Sequence, residues 1–172
     1  MKTLICSFFG HRKININNNL NQKIYLCIEN LIVNYNVKMF LFGSKSDFND
    51  YCHFVVSGLK QKYSNIKRVC YTCKSEGCAL ESQRQEYETF YLRYVNKEVY
   101  LLTFEEEHEH KTKYTANKAS YVKRNQAMID DSDICVFYYN KNYVPSSKTK
   151  SGTKIAFEYA IKKKKCIINL FN

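Results

Sequence analysis

Three short segments of the sequence combine a glycine with hydroxyl or cationic side chains at the end of an apolar run or the start of a helical pattern. At such a junction the backbone can approach a ligand closely, hydroxyl groups offer hydrogen bonds, and the next helix presents N–H groups suited to a phosphate. Neither GxGxxG nor GxxxxGK[ST] occurs, so helix capping is the alternative role for the segments that contain Gly43 and Gly152. The segments are Gly10-His11-Arg12, Gly43-Ser44-Lys45-Ser46 and Ser151-Gly152-Thr153.

A second group of residues has the chemistry of a metal site. Cys70, Cys73 and Cys78 form a C-x2-C-x4-C pattern, and His108 and His110 follow as candidate fourth ligands. Thiolate and imidazole groups bind zinc, but a strong zinc signature has two well-spaced pairs, and this pattern has one CxxC pair. Because cysteine also packs as a small hydrophobe, we expect no required cofactor and keep zinc as the alternative.

Apolar runs and helical spacing alternate along the chain and predict the elements that position these residues. Short continuous apolar runs indicate buried strands at residues 3–9, 39–42, 66–71, 133–139 and 166–170. Apolar residues three and four positions apart indicate helices at 20–35, from 49 or 50 to 59, 114–128 and 152–163. In the middle of the chain we predict a loop at 72–82, a helix at 84–95, a strand at 98–103 and an acidic loop at 105–110.

Strands that alternate with helices of this length pair in parallel through right-handed crossovers. The sequence therefore predicts an α/β fold: one three-layer Rossmann-like domain over residues 1–172, with a mostly parallel sheet of about six strands and helices on both faces. Ligands of such sheets bind outside the carboxyl ends of the strands, near the point where strand order reverses. We expect the three glycine segments to meet there, where Tyr138, Tyr139 and Tyr143 can stack on a base.

The composition restricts the class of protein. The chain has 172 residues, 45% of them hydrophobic, which favours a folded domain over a disordered one. No stretch approaches the ~20 apolar residues of a membrane-spanning helix. The apolar run at residues 3–9 is followed at once by Gly10-His11-Arg12-Lys13, without the cleavage site of a signal peptide. We therefore expect a cytoplasmic protein with no membrane partner.

The formal net charge of +11 makes nucleic acid a candidate partner. Of the 27 basic residues, 22 are Lys and five are Arg, whereas recognition of base edges favours Arg. We favour a solvated, lysine-rich surface as the explanation of this charge, and nucleic acid binding remains an alternative function.

Four segments, taken in order, resemble one family. They are SFFGHR at residues 7–12, the turn GSKS at 43–46, RNQAMIDDSD at 124–133 before an apolar strand, and SGTKIAFEYAIKKKKCIINL at 151–170. Together they are similar to the SLOG superfamily of Rossmann-like nucleotide-binding domains, which includes relatives of DNA-processing protein A and of the Lonely Guy phosphoribohydrolases. The closest resemblance is to its small stand-alone bacterial YpsA-like branch.

The resemblance implies a pocket over the strand ends that binds a nucleotide or a nucleotide derivative, with phosphate near the second and third glycine segments. It also allows a homodimer. Arg12 and Arg124 are then candidates to neutralise phosphate charge, since a guanidinium matches two phosphate oxygens. The candidate ligand contacts are Gly10, His11, Arg12, Gly43, Ser44, Lys45, Ser46, Arg124, Asn125, Asp133, Ser151, Gly152 and Thr153.

Several of these candidates also have a structural alternative. Arg12 and Arg124 are equally suited to surface ion pairs. His11 is either a ligand-facing donor that titrates near neutrality or a turn residue bonded to the backbone. Asp133 begins a predicted strand and can cap a turn.

Enzymes of the superfamily carry a GGxGTxxE motif whose glutamate works with an arginine to cleave a nucleoside 5′-monophosphate into base and ribose phosphate. The corresponding position here is Ala156, and the nearest carboxylate is Glu158, two residues further on and about 200° around the helix. We therefore expect binding or sensing rather than catalysis. A phosphoribohydrolase with Glu158 as its catalytic candidate remains the alternative.

Overall fold

Strands and helices alternate along the chain. The computed structural model describes residues 2–43, 46–73, 104–110, 117–145 and 150–171. The strands are β1 (Leu4–Gly10), β2 (Val37–Phe42), β3 (Lys67–Cys73), β4 (Glu106–His110), β5 (Ile134–Tyr138) and β6 (Cys166–Asn169). The described helices are α1 (Asn18–Asn34), α2 (Asp47–Lys62), α3 (Lys118–Asp131) and α4 (Gly152–Lys162).

The six strands form one parallel sheet in the order β4-β3-β2-β1-β5-β6. The chain moves outward from β1 to β4 and then returns to place β5 on the other side of β1. The strand order therefore reverses between β1 and β5, and this is where an open α/β sheet leaves a crevice for a ligand.

Consecutive residues of β1 face opposite sides of the sheet and enter two separate cores. Phe8 packs with apolar residues of α1 and α2, such as Ile24 and Val56. Phe9 packs on the other face with residues of α3 and α4, such as Met128 and Ala156. Because both faces of the strand are covered, β1 has the continuous apolar sequence that is typical of a buried parallel strand. The predicted three-layer α/β fold is confirmed.

Side-chain caps determine where the helices begin. Ser46 accepts a hydrogen bond from the Asn49 N–H, so α2 begins at Asp47 rather than at the predicted 49 or 50. Asn117 accepts one from the Ser120 N–H, so α3 begins at Lys118, later than predicted. These caps satisfy N–H groups that have no acceptor within the helix.

The acidic segment predicted as a loop at residues 105–110 contains β4, which lies at one edge of the described sheet beside cations of β3. Glu105 accepts hydrogen bonds from the backbone N–H of Arg68, at 2.7 Å, and from its guanidinium, at 2.6 Å. Glu106 forms an ion pair with Lys67 at 2.8 Å. Charged side chains are compatible with a sheet edge.

The other predictions for the middle of the chain have two outcomes. Residues 72 and 73, predicted as loop, belong to β3. The predicted helix at 84–95 and the predicted strand at 98–103 lie outside the described residues.

None of the helices in the described ranges has both the length and the apolar composition that crossing a bilayer requires.

Candidate functional site

A cavity of about 360 Å³ opens at the carboxyl ends of β1 and β2, beside the reversal point of the sheet. Its walls come from the turn after β1, from α3, from the loop after β5 and from the first residues of α4. All three glycine segments contribute to it. The predicted site residues that line it are Gly10, His11, Arg12, Gly43, Arg124, Asn125, Ser151, Gly152 and Thr153.

The charges on the cavity wall have one sign. Arg12, Lys118 and Arg124 line the cavity, and no Asp or Glu is among the described residues that do so. Backbone dipoles add to this charge, since the N-terminus of α4 lies at the wall and carries a partial positive charge. The cavity therefore favours an anionic ligand.

Arg124 supplies a buried cation to this wall. The residue is 3% exposed, although its guanidinium carries a full charge. Its Nε donates to Asn125 Oδ1 at 3.2 Å, its Nη1 donates to the Tyr71 carbonyl at 3.5 Å, and its Cζ lies 5.3 Å from the centre of the Tyr121 ring. These contacts orient the guanidinium in a low-dielectric position, where its attraction for an anion is stronger than in water.

Gly43 leaves the space that this guanidinium occupies. A Cβ at position 43 would lie 3.0 Å from Arg124 Cζ, which is closer than an ordinary van der Waals contact. Two hydrogen bonds with Asn49 fix the Gly43 backbone: its N–H donates to Asn49 Oδ1 at 3.1 Å, and its carbonyl accepts from Asn49 Nδ2 at 3.0 Å. Asn49 thus positions the end of β2 against Arg124.

Gly10 and Ser46 connect the first two glycine segments. A Cβ at position 10 would lie 2.4 Å from Phe48 Cβ, so only glycine allows α2 to pack this closely on the end of β1. The Ser46 hydroxyl lies 3.1 Å from the Gly10 carbonyl and 3.2 Å from the His11 carbonyl, within donating distance of both. Ser46 does not line the cavity, and its role is to hold these turns together.

His11 is bonded to the loop that follows β5. Its Nε2 accepts a hydrogen bond from the Asn140 N–H at 3.0 Å, and its ring centre lies 4.4 Å from that of Tyr143. Burial lowers the pKa of His11 below its ordinary value of 6.5, so the imidazole is neutral at pH 7. Tyr143 is 49% exposed and lines the cavity, whereas Tyr138 and Tyr139 do not line it.

The third segment forms the first turn of α4. Ser151 caps the helix by accepting from the Lys154 N–H at 3.1 Å. The N–H groups of Gly152 and Thr153 belong to this turn and have no acceptor within the helix. A Cβ built at Gly152 meets no atom of the described residues within 4 Å, so these residues leave space beside this backbone. The N-terminus of a helix is a favourable position for a phosphate.

Asp133 does not belong to this site. It lies just before β5, at the amino end of the strands, opposite the cavity. Its carboxylate accepts from the Ile5 N–H at 3.0 Å and pairs with Lys2 at 2.9 Å. Although partial burial raises the pKa of Asp133, these two interactions outweigh that effect and lower it. Asp133 thus fastens the start of β5 to β1, and its side-chain contacts are with β1 and Lys2 rather than with a turn that it caps.

Glu158 also lies outside the cavity wall. It does not line the cavity, and its carboxylate forms an exposed ion pair with Lys150 at 2.9 Å. Ala156, at the position of the superfamily glutamate, is 2% exposed and packs in the core beneath α4. The described cavity wall thus lacks the carboxylate that a Lonely Guy-type hydrolase requires.

Three of the predicted site residues lie outside the described residues, namely Cys78, Ser44 and Lys45. Cys70 and Cys73 are fully buried in β3, and the position of Cys78 is not described. Across the described ranges, no group of three or more His, Cys, Asp or Glu side chains is arranged to hold a metal ion.

The sequence patterns missed the contribution of one face of α3. Lys118, Tyr121, Val122 and Asn125 all line the cavity. They are spaced at i, i+3, i+4 and i+7, the spacing of a single helical face. Counting back from Asn125 along that face would have found the other three. No sequence pattern indicated Asn49, because its role is to hydrogen-bond the Gly43 backbone, and that contact forms only on folding.

No protein-family model matches this chain, and no curated protein matches it either. Membership of the SLOG superfamily therefore stays a prediction that rests on the sequence motifs.

Proposed function

We propose that this protein binds a nucleotide, or a nucleotide derivative, with its phosphate between Arg124 and the first turn of α4. The observation that carries the proposal is the buried guanidinium of Arg124 in the same cavity as Gly152 and Thr153. A phosphate there would receive charge-assisted hydrogen bonds from a guanidinium and from backbone N–H groups.

Aromatic groups favour a nucleotide over a simple inorganic anion. Tyr143 offers a half-exposed ring at the same cavity, and Tyr121 lies along its α3 wall. Such rings can stack on a base. The volume of about 360 Å³ is near the lower end for small-molecule sites, which favours a single nucleotide over a dinucleotide. The resemblance to SLOG domains agrees with this ligand class.

Binding or sensing is favoured over hydrolysis. Among the described residues, the cavity wall has three cationic side chains and no acidic one. Cleavage of an N-glycosidic bond requires stabilisation of an oxocarbenium-like transition state, for which a carboxylate is the usual group. Cations stabilise the phosphate but not this developing positive charge. The proposed role is therefore recognition of the nucleotide.

A thermal-shift screen followed by calorimetric titration tests this proposal. The screen covers nucleoside mono- and diphosphates, cyclic nucleotides, NAD and ADP-ribose, and we expect at least one nucleotide to raise the melting temperature. Arg124→Ala should weaken its binding about tenfold or more, since charged hydrogen bonds contribute roughly 1.5–3 kcal/mol each. Lys123→Ala is the matched control, because Lys123 is exposed on α3 and does not line the cavity.

The same samples distinguish the alternative functions. Chromatographic detection of free base, lost in Glu158→Ala, would replace binding by hydrolysis. Retention on DNA or RNA that persists at moderate salt, with no response to any nucleotide, would favour nucleic acid binding, because contacts that rest on nonspecific charge weaken steeply with salt. A flat response to the whole panel contradicts the proposal.

A further inference from the structure

His11 has a protonation state that its contacts determine. Its Nε2 accepts a hydrogen bond from the Asn140 backbone N–H at 3.0 Å, and a ring nitrogen that accepts a hydrogen bond carries no proton. The neutral imidazole must then carry its proton on Nδ1. The loop after β5 thus makes His11 an uncharged hydrogen-bond donor.

This donor belongs to a buried side chain at the cavity. His11 is 7% exposed and lines the cavity together with Tyr143. Within the described parts of the chain, Nε2 is the ring nitrogen that has a hydrogen-bond partner, and Nδ1 has none. The Nδ1 atom is not among the fully buried polar atoms that lack a partner, so it is accessible and can donate to a small molecule in the cavity that His11 lines.

We infer that His11 is a specificity-determining residue whose Nδ1–H donates to an uncharged acceptor on the heteroaromatic base of the ligand. This inference rests on the proposed function, because it assigns one end of the same nucleotide. A neutral donor gives no charge assistance to a phosphate, which Arg124 and the α4 terminus serve better. A ring nitrogen or a carbonyl oxygen of a base is the acceptor that suits it.

The neighbouring ring supports the same orientation of the ligand. Tyr143 packs against His11 with ring centres 4.4 Å apart, yet 49% of Tyr143 stays exposed. The exposed part can stack on a base while the Nδ1–H of His11 contacts the edge of that base. The base then lies beside the loop after β5, and the phosphate lies beside Arg124.

The competing explanation is that His11 only anchors the loop through Asn140. Two substitutions separate these roles because an amide can replace either nitrogen. His11→Asn places an amide near the position of Nδ1, so it keeps a donor there and loses the acceptor for Asn140. His11→Gln places its amide near Nε2, so it keeps that acceptor and loses the donor. A donor role makes Asn the better replacement, and an anchoring role makes Gln the better one.

The first measurement needs neither a ligand nor a variant. Long-range ¹H–¹⁵N NMR of the ligand-free protein, labelled at histidine, should show His11 as the Nδ1–H tautomer, which is the less common form of a solvated imidazole. The Nε2–H tautomer, or a charged ring at pH 7, would overturn the inference.

The second measurement is calorimetric titration with the four ribonucleoside 5′-monophosphates and with ribose 5-phosphate. We expect His11→Gln to weaken binding of the tightest monophosphate about tenfold and to leave ribose 5-phosphate unchanged. His11→Asn should stay within about threefold of the wild type. Greater loss in His11→Asn, or equal binding by all three proteins, would overturn the donor role. Failure of the wild-type protein to bind any of these compounds would overturn both the ligand assignment and the proposed function. The NMR measurement of the His11 tautomer would then still test the hydrogen bond from Asn140.

Discussion

The two ends of the parallel strands treat charge in opposite ways. At the amino ends, Asp133 pairs with Lys2 and accepts from the Ile5 N–H, and Glu105 pairs with Arg68. At the carboxyl ends, the described cavity wall contains cations and no carboxylate. Charges at the amino ends therefore satisfy one another and stabilise the sheet, whereas the cations at the carboxyl ends give the described cavity wall a positive charge, as the proposed anionic ligand requires.

The largest effect should come from the ion pair at the amino ends. Glu105→Ala removes the carboxylate that pairs with Arg68, whose side chain is 7% exposed. Leaving this cation buried should lower the free energy of unfolding by about 2–3 kcal/mol, reduced from the full buried-pair value by the partial exposure of Glu105. Urea denaturation measures the loss. Glu106→Ala is the control, because its pair with Lys67 is exposed and should contribute less than about 1 kcal/mol.

The nucleotide affinity of Glu105→Ala tests whether the two ends of the strands act independently. Glu105→Ala should bind the nucleotide with unchanged affinity once folded, since it acts at the opposite end of the strands. A loss of affinity equal to that of Arg124→Ala would contradict the separation.

The next effect concerns Gly10, which packs against Phe48 of α2. Gly10→Ala forces Cβ to within 2.4 Å of Phe48, so α2 must move away from β1. We expect a loss of about 1–3 kcal/mol in the free energy of unfolding, as for other overpacked cores. Thermal and urea denaturation measure it, and stability equal to that of the wild type would refute the close packing described for this turn.

Gly152 provides the matched comparison at the open side of the cavity. In Gly152→Ala the new Cβ meets no atom of the described part of the chain within 4 Å, and alanine favours the helix, so stability should be equal or higher by up to about 1 kcal/mol. A phosphate close to this backbone would instead meet the new methyl group, and we expect affinity to fall about tenfold. Full affinity in calorimetry would remove the α4 terminus from the site.

Acid should affect the two ends of the strands in separate pH windows. Burial lowers the pKa of folded His11, so its contribution to stability is present above about 6.5 and is lost as pH falls below that value. Partial burial raises the pKa of Glu105, but the hydrogen bonds and charge of Arg68 lower it to about 2, so its contribution is lost between about pH 4.5 and 2. Stability measured against pH should lose the first step in His11→Gln and show a smaller second step in Glu105→Ala, where Asp133 with its lowered pKa still titrates. The same two-step curve in either variant would contradict these assignments.

Much of the fold and part of the site followed from sequence pattern. Apolar runs predicted strands such as β1 and β5 because a parallel strand is buried on both faces. The ends of those strands located His11 and Gly152, because parallel strands bring successive turns to one edge. Local pattern is sufficient for features that depend on periodicity.

The remainder depended on contacts between distant residues. The strand β4 has an acidic sequence, which local pattern assigns to a loop, and it is a strand because it pairs with residues 69–73 of β3. Glu106 in β4 and Glu105 just before it form ion pairs with Lys67 and Arg68. Asp133 was assigned to the ligand, although its partner Ile5 is 128 positions away. Asn49 became visible only through its hydrogen bonds to Gly43.

The most direct test is a crystal structure with the nucleotide that gives the largest thermal shift. We predict phosphate density within hydrogen-bond distance of the Arg124 guanidinium and the Gly152 N–H, with the base beside Tyr143. Phosphate bound instead on the exposed lysines at the end of α4, with the cavity occupied by solvent alone, would contradict the account.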